Sequence, residues 1–146
     1  MANEPLSSAL TGTFRVIALR AARTAVQRLL PKASDCMELR SQVLKLRYWP
    51  EKNPTDDSGR LLDLNWSWVK SLKGSQIGEL RIDDAIGGRD NLRVIFVVLE
   101  KADADSMPVI CILHVMQKKR MEFSAADLDV FRGRRQIALT MLRGEK

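Results

Sequence analysis

Three stretches decide the fold: Q-I-G-E-L-R-I-D (Gln76–Asp83), N-L-R-V-I-F-V-V-L (Asn91–Leu99) and P-V-I-C-I-L-H-V-M (Pro108–Met116). The first alternates, with Leu80 and Ile82 on one side and Glu79 and Arg81 on the other, which is the period of a strand. The second is apolar on both faces apart from Arg93, which predicts a strand inside the sheet, covered above and below. The third is a strand ending near His114. Gly87-Gly88-Arg89-Asp90-Asn91 and the polar run Glu100–Ser106 read as turns, so the three strands are expected as an antiparallel meander.

Working outward, Thr13–Leu19 is β-rich and could form an edge strand. Ala21–Leu30 reads as a helix that Pro31 stops. Ser34 and Asp35 are N-cap types ahead of a second periodic segment containing Cys36, Leu39, Val43 and Leu46. Two short helices packed as a hairpin are expected there. Pro50–Gly59 is a loop by composition. Residues 61–73 fit both strand and helix periods, and a helical turn from Trp66 to Leu72 is the preferred expectation. The tryptophans could stack bases, although anchoring a small core is the commoner use. Ser124-Ala-Ala-Asp127 resembles a capping box before a final helix from Ala125 to about Leu142, with Leu128, Phe131, Ala138 and Leu142 inward. Residues 1–12 read as a flexible leader and 13–146 as one α+β domain. That domain is a small antiparallel sheet of three to four strands with an N-terminal helical hairpin and a C-terminal helix.

The chain has 146 residues, 24 Lys+Arg and 18 Asp+Glu, for a net charge of +6. The excess lies at both ends: residues 1–50 and 118–146 are basic, while 51–117 are acidic. That distribution suggests a polyanionic partner, most simply nucleic acid. No apolar run approaches the ~18 residues of a membrane span, and the N-terminus lacks the pattern of a secretory signal. Cys36 and Cys111 are far apart and the chain has one histidine, so neither a metal site nor a cofactor is expected. Two free thiols fit a reducing cytoplasm.

E-L-R-I (Glu79–Ile82), then N-L-R-V-I-F (Asn91–Phe96), then I-L-H-V-M-Q-K-K (Ile112–Lys119) before a C-terminal helix resembles the RelE/ParE toxin superfamily, most closely its HigB and phage-derived host-inhibition branch. The resemblance covers roughly residues 60–140. It implies the toxin of a type II toxin–antitoxin module, in the RelE and HigB branches an endoribonuclease that cleaves mRNA, commonly on the ribosome. It also implies an antitoxin partner, often a helix-turn-helix protein. The ParE branch instead poisons DNA gyrase, and an inactive nucleic-acid-binding accessory protein is a third possibility. Departures from the family pattern are a longer leader, a longer Pro50–Gly59 loop, and no tyrosine near the last helix.

RNA cleavage by its own 2′-hydroxyl requires alignment, a proton acceptor and positive charge around the phosphorane. By the resemblance, Arg81 matches the strand arginine of the Glu-Leu-Arg motif, and Arg93 the arginine opening the next strand. Both are assigned to phosphate binding and charge stabilisation. Lys118 and Lys119 match the lysine pair after the histidine strand and would hold the scissile region, and His114 is a candidate acid or base. Arg89, Arg120, Arg132 and Arg135 are expected to add nucleic-acid contacts. The competing structural readings pair Arg81 with Glu79 or Asp83, give Arg93 a buried carboxylate, and make His114 a structural histidine.

Overall fold

The computed structural model describes residues 14–56, 58–99 and 108–144. The proposed leader and the Glu100–Ser106 turn lie outside them. A five-stranded sheet in the order β1-β5-β4-β3-β2 carries helices α1 and α2 before its second strand and α3 after its last. The strands are β1 (Arg15–Ala18), β2 (Trp66–Trp68), β3 (Ile77–Ile82), β4 (Leu92–Leu99) and β5 (Val109–Gln117). The helices are α1 (Arg20–Leu29), α2 (Ala33–Leu44) and α3 (Ala125–Gly144), with 3₁₀ turns at Lys45–Tyr48 and Lys70–Leu72.

Strands β3 to β5 form the expected meander, and β2 adds a further antiparallel strand beside β3. The sheet is nevertheless larger than expected, and mixed. β1 pairs with β5 in parallel, Arg15 opposite Val109 through Ala18 opposite Ile112, because the chain crosses from one sheet edge to the other before β2 begins. Trp66–Trp68 is a strand rather than the start of a helical turn, and the helical character of that stretch is confined to Lys70–Leu72. Pairing with β3 supplies hydrogen bonds that outweigh a local helical spacing, as tertiary context commonly does.

β4 is the inner strand foreseen from its composition, and all eight of its residues are buried. Phe96, Leu92, Ile95 and Ile110 are among the large side chains with almost no exposed surface. Gly78 lies opposite Phe96, and a Cβ there would meet the Phe96 ring at 2.6 Å, so the absence of a side chain lets the ring lie across β3.

The helices do not form the simple hairpin expected of them. α1 lies mainly against β5, while α2 runs into the Lys45–Tyr48 turn. Ser34 and Asp35 fall in the first turn of α2 rather than at its cap, which is Lys32. α3 covers the opposite face, with Phe131 and Ala138 buried and Phe131 centred 6.1 Å from the His114 ring. Ser124 and Asp127 close a reciprocal cap at its start: each backbone N–H donates to the other's side chain at 3.1 Å. No helix among the described residues is long and apolar enough to cross a membrane. Cys36 and Cys111 are free thiols, and burial pushes that of Cys111 up to about 12.

Candidate functional site: a cationic groove at the open end of β5

β1 stops opposite Ile112, where the Leu19 N–H still donates to the Ile112 carbonyl at 3.0 Å. The chain then turns into α1, while β5 continues to Gln117. The last part of β5 therefore has a helix beside it in place of a strand. A bulge lies at the same point: Phe96 pairs with Ile112 and Ile95 with His114, leaving Leu113 without a partner on β4. A bulge of this kind bends its strand and re-aims the side chains that follow.

Between α1, this stretch of β5 and α3 runs a groove of about 920 Å³. One wall is α1, whose Arg20, Thr24 and Arg28 recur every fourth residue and so stand above one another. Ala21, Ala25 and Leu29 form a parallel, half-buried stripe. The other wall is α3, through Arg134, Ile137 and Met141. Lys119 and Arg89 complete the rim. The described lining residues include no carboxylate.

Local chemistry explains the position of Arg89. Ile86 and Arg89 exchange both backbone hydrogen bonds, at 3.0 Å each, across Gly87 and Gly88, whose φ values are +58 and +79. Two central residues with positive φ make a type I′ turn, which a Gly-Gly pair adopts without steric cost. From that turn Arg89 Nε donates to the Leu29 carbonyl at 2.7 Å, one of the unpaired carbonyls that end α1. Its Nη1 reaches the Gln117 side chain at 3.2 Å.

Arg134 Nη1 lies 3.0 Å from the carbonyl of Leu113, the bulged residue, and 2.6 Å from His114 Nδ1. A guanidinium can only donate, so Nδ1 is the bare nitrogen and the neutral ring carries its hydrogen on Nε2. Burial lowers the His114 pKa to about 4, with help from the Arg134 charge and some opposition from Asp127. The imidazole is therefore uncharged at neutral pH. Burial also lowers the Arg134 pKa.

The residues singled out from sequence divide between places. His114, Lys119 and Arg89 meet in the groove. Lys118 and Arg120 belong with Lys119 to an adjoining smaller cavity of about 270 Å³, and Lys118 Nζ sits 4.4 Å above the Phe123 ring. Arg93 is 7% exposed and its Nε donates to Glu79 at 3.1 Å. That arrangement matches the structural alternative, a buried carboxylate partner, and withdraws Arg93 from any phosphate in solvent. Arg81 is exposed directly opposite Arg93 on the same face, outside the groove. Arg132 pairs with Asp129 at 2.8 Å on the exposed side of α3, and Arg135 donates to the Ser75 carbonyl at 2.7 Å.

Arg20, Arg28 and Arg134 were not foreseen as site residues. The eight-residue spacing of Arg20 and Arg28 placed them on one helix face, but nothing in the pattern said which strand that face would meet. Among the described residues, no group of three or more His, Cys, Asp or Glu side chains gathers as a metal cluster would. Compared with models of known protein families, with curated proteins and with solved structures, the chain matches none.

Proposed function

We propose that this protein is an RNA-directed toxin of the RelE/HigB kind, a metal-independent endoribonuclease acting on mRNA and held in check by a cognate antitoxin. The observation that carries the proposal is the groove: Arg20, Arg28, Arg89, Lys119 and Arg134 around His114, with no carboxylate among its described lining residues. Such a cluster of cations attracts a phosphodiester backbone, and binding should weaken with salt by roughly 0.7 log units per phosphate contact for each log unit of salt. The I-L-H-V-M-Q-K-K motif, which resembles the toxin family, supplies His114 and Lys119 to the groove and supports the same ligand, while Arg81 and Arg93 of the other two motifs lie outside it.

In this reading the 2′-oxygen attacks phosphorus and the P–O5′ bond breaks, giving a cyclic phosphate and a free 5′-hydroxyl. The arginines stabilise the charge that develops on the phosphorane. His114, neutral and protonated on Nε2, donates a hydrogen bond to a phosphate oxygen. Solvent hydroxide takes the 2′-hydroxyl proton and water returns one to the leaving oxygen, because Arg134 already occupies Nδ1. The cleavage rate should then rise steadily with pH, without a plateau in the histidine range.

The test is cleavage of an mRNA by the purified chain in the presence of a chelator, read by mapping the new 5′ ends. Arg28→Glu combined with Lys119→Glu should abolish it. Full cleavage by that double variant would remove the groove from the reaction. A non-catalytic reading is favoured by one observation, the engagement of His114 Nδ1 by Arg134, which leaves the imidazole without a free proton acceptor. Growth arrest with intact transcripts would select that reading, and an accompanying DNA-damage response would point to gyrase.

A further inference from the structure

At the far edge of the sheet, β2 presents Trp68 with 41% of its surface exposed. The ring is nonetheless held in place. Its centroid lies 5.0 Å from that of Trp66 at 83° and 5.6 Å from that of Trp49 at 68°, edge-to-face contacts that fix a ring plane. Trp66 is otherwise engaged: its Nε1 donates to the Pro50 carbonyl at 3.0 Å and Lys52 Nζ lies 4.6 Å from its ring centre. Trp68 is thus an aromatic surface braced from behind and open in front.

An open groove of about 570 Å³ begins at this ring and follows the loop from Lys70 to Gln76. Lys70, Lys73 and Gln76 are exposed along it, and its described lining contains no carboxylate. Gly74 has φ +85, and a Cβ placed there would meet nothing within 4 Å, so the backbone is approachable at that point. Gln76 has φ 63, an uncommon conformation for a residue with a side chain.

We propose that this edge is a second contact for single-stranded RNA, with one base stacked on Trp68 and its flanking phosphates held by Lys70 and Lys73. A pre-oriented aromatic ring beside cations is the combination that binds unpaired nucleotides without strong sequence preference. The Gln76 amide, which both donates and accepts, can meet the edge of the stacked base. The site is separate from the β5 groove: β2 lies three strand spacings, about 14 Å, from β5, and Trp68 shares the Phe96 face of the sheet, whereas His114 pairs with Ile95 on the other. The inference shares the RNA ligand of the proposed function, but it requires no cleavage.

The test is a fluorescence titration of the full chain with a short 2′-O-methyl oligouridylate, which cannot be cut at its own 2′ position. Binding should quench tryptophan emission. Trp68→Ala should weaken binding roughly tenfold and remove most of the quenching, while Trp68→Phe should stay within a few-fold of the parent. Lys70→Gln with Lys73→Gln, on an exposed loop where folding is not at stake, should flatten the salt dependence. Unchanged affinity in Trp68→Ala, unchanged salt dependence in the lysine variant, or unaltered emission of the parent protein on binding would each overturn the assignment. Tighter binding of a deoxy oligonucleotide would overturn RNA as the ligand. Since cleavage is not read out, failure of the nuclease proposal leaves this result standing, and loss of the Trp68 signal leaves the groove untouched.

Discussion

Arg134 and His114 form one unit, with Nη1 2.6 Å from Nδ1, and the bulge at Leu113 is what brings them together. The same guanidinium nitrogen takes the Leu113 carbonyl at 3.0 Å. The arginine thereby selects the tautomer of the imidazole and opposes its protonation. Arg134→Met should move the His114 titration up from about 4, while burial, the larger cause, keeps it below its ordinary 6.5. Nitrogen chemical shifts of the ring report both the pKa and the tautomer. A ring that still titrates near 4 without Arg134 would assign the whole depression to burial.

The same depression makes folding sensitive to acid. Above pH 6.5 neither folded nor unfolded His114 carries a proton, so it has no effect. Between 6.5 and about 4 the unfolded chain binds a proton that the folded chain refuses, and stability falls as pH falls. The loss is on the order of 2 kcal/mol once partial exposure is allowed for. Urea unfolding of the parent and of His114→Asn at pH 7.5 and 4.5 should show the parent losing more of its stability by about that amount.

Arg93 and Glu79 test whether the buried pair is structural. Glu79→Leu leaves a guanidinium that is 7% exposed without its carboxylate and should cost about 3 kcal/mol. Replacing both by Leu and Met should recover a large part of that loss, because the uncompensated charge goes with its partner. Equal instability in the single and double variants would show that the pair's packing, not its charge, holds this part of β3 and β4.

Gly78 and Phe96 make a second coupled pair. Gly78→Ala places a methyl group 2.6 Å from the ring and should destabilise by about 1–3 kcal/mol through overpacking. Phe96→Leu alone opens a cavity, but combined with Gly78→Ala it should cost less than the sum of the two. A thermodynamic cycle from urea midpoints measures this, and strict additivity would contradict the contact.

The cap of α3 predicts a smaller effect with a wider reach. Ser124→Ala removes the acceptor for the Asp127 N–H and should cost about 1 kcal/mol. α3 also carries Arg134, so hydrogen exchange should quicken first in its opening turn, leaving β4 unaffected. Uniform quickening across the sheet would mean that α3 unfolds together with the core.

Features fixed by neighbours in the chain were legible beforehand. The inner position of β4 follows from a run apolar on both faces apart from Arg93, the tight turn from Gly87-Gly88, and the start of α3 from the spacing of Ser124 and Asp127. The candidate site was less so. His114, Lys119 and Arg89 were marked and do meet, whereas Arg93 was marked and lies against Glu79. Alternation along a strand shows which side chains share its face, but the pairing of one strand with the next depends on a register that a single bulge shifts.

Composition and periodicity by themselves determined an α+β chain with an antiparallel meander, a basic beginning and a basic end. Only the tertiary structure decided that the two ends meet. The crossover that sets β1 parallel to β5 places Arg20 and Arg28 of α1 across from Arg134 of α3, more than a hundred residues later in the chain. Local pattern carries no information about which distant segments become neighbours, because that choice is made by burying the sheet as a whole.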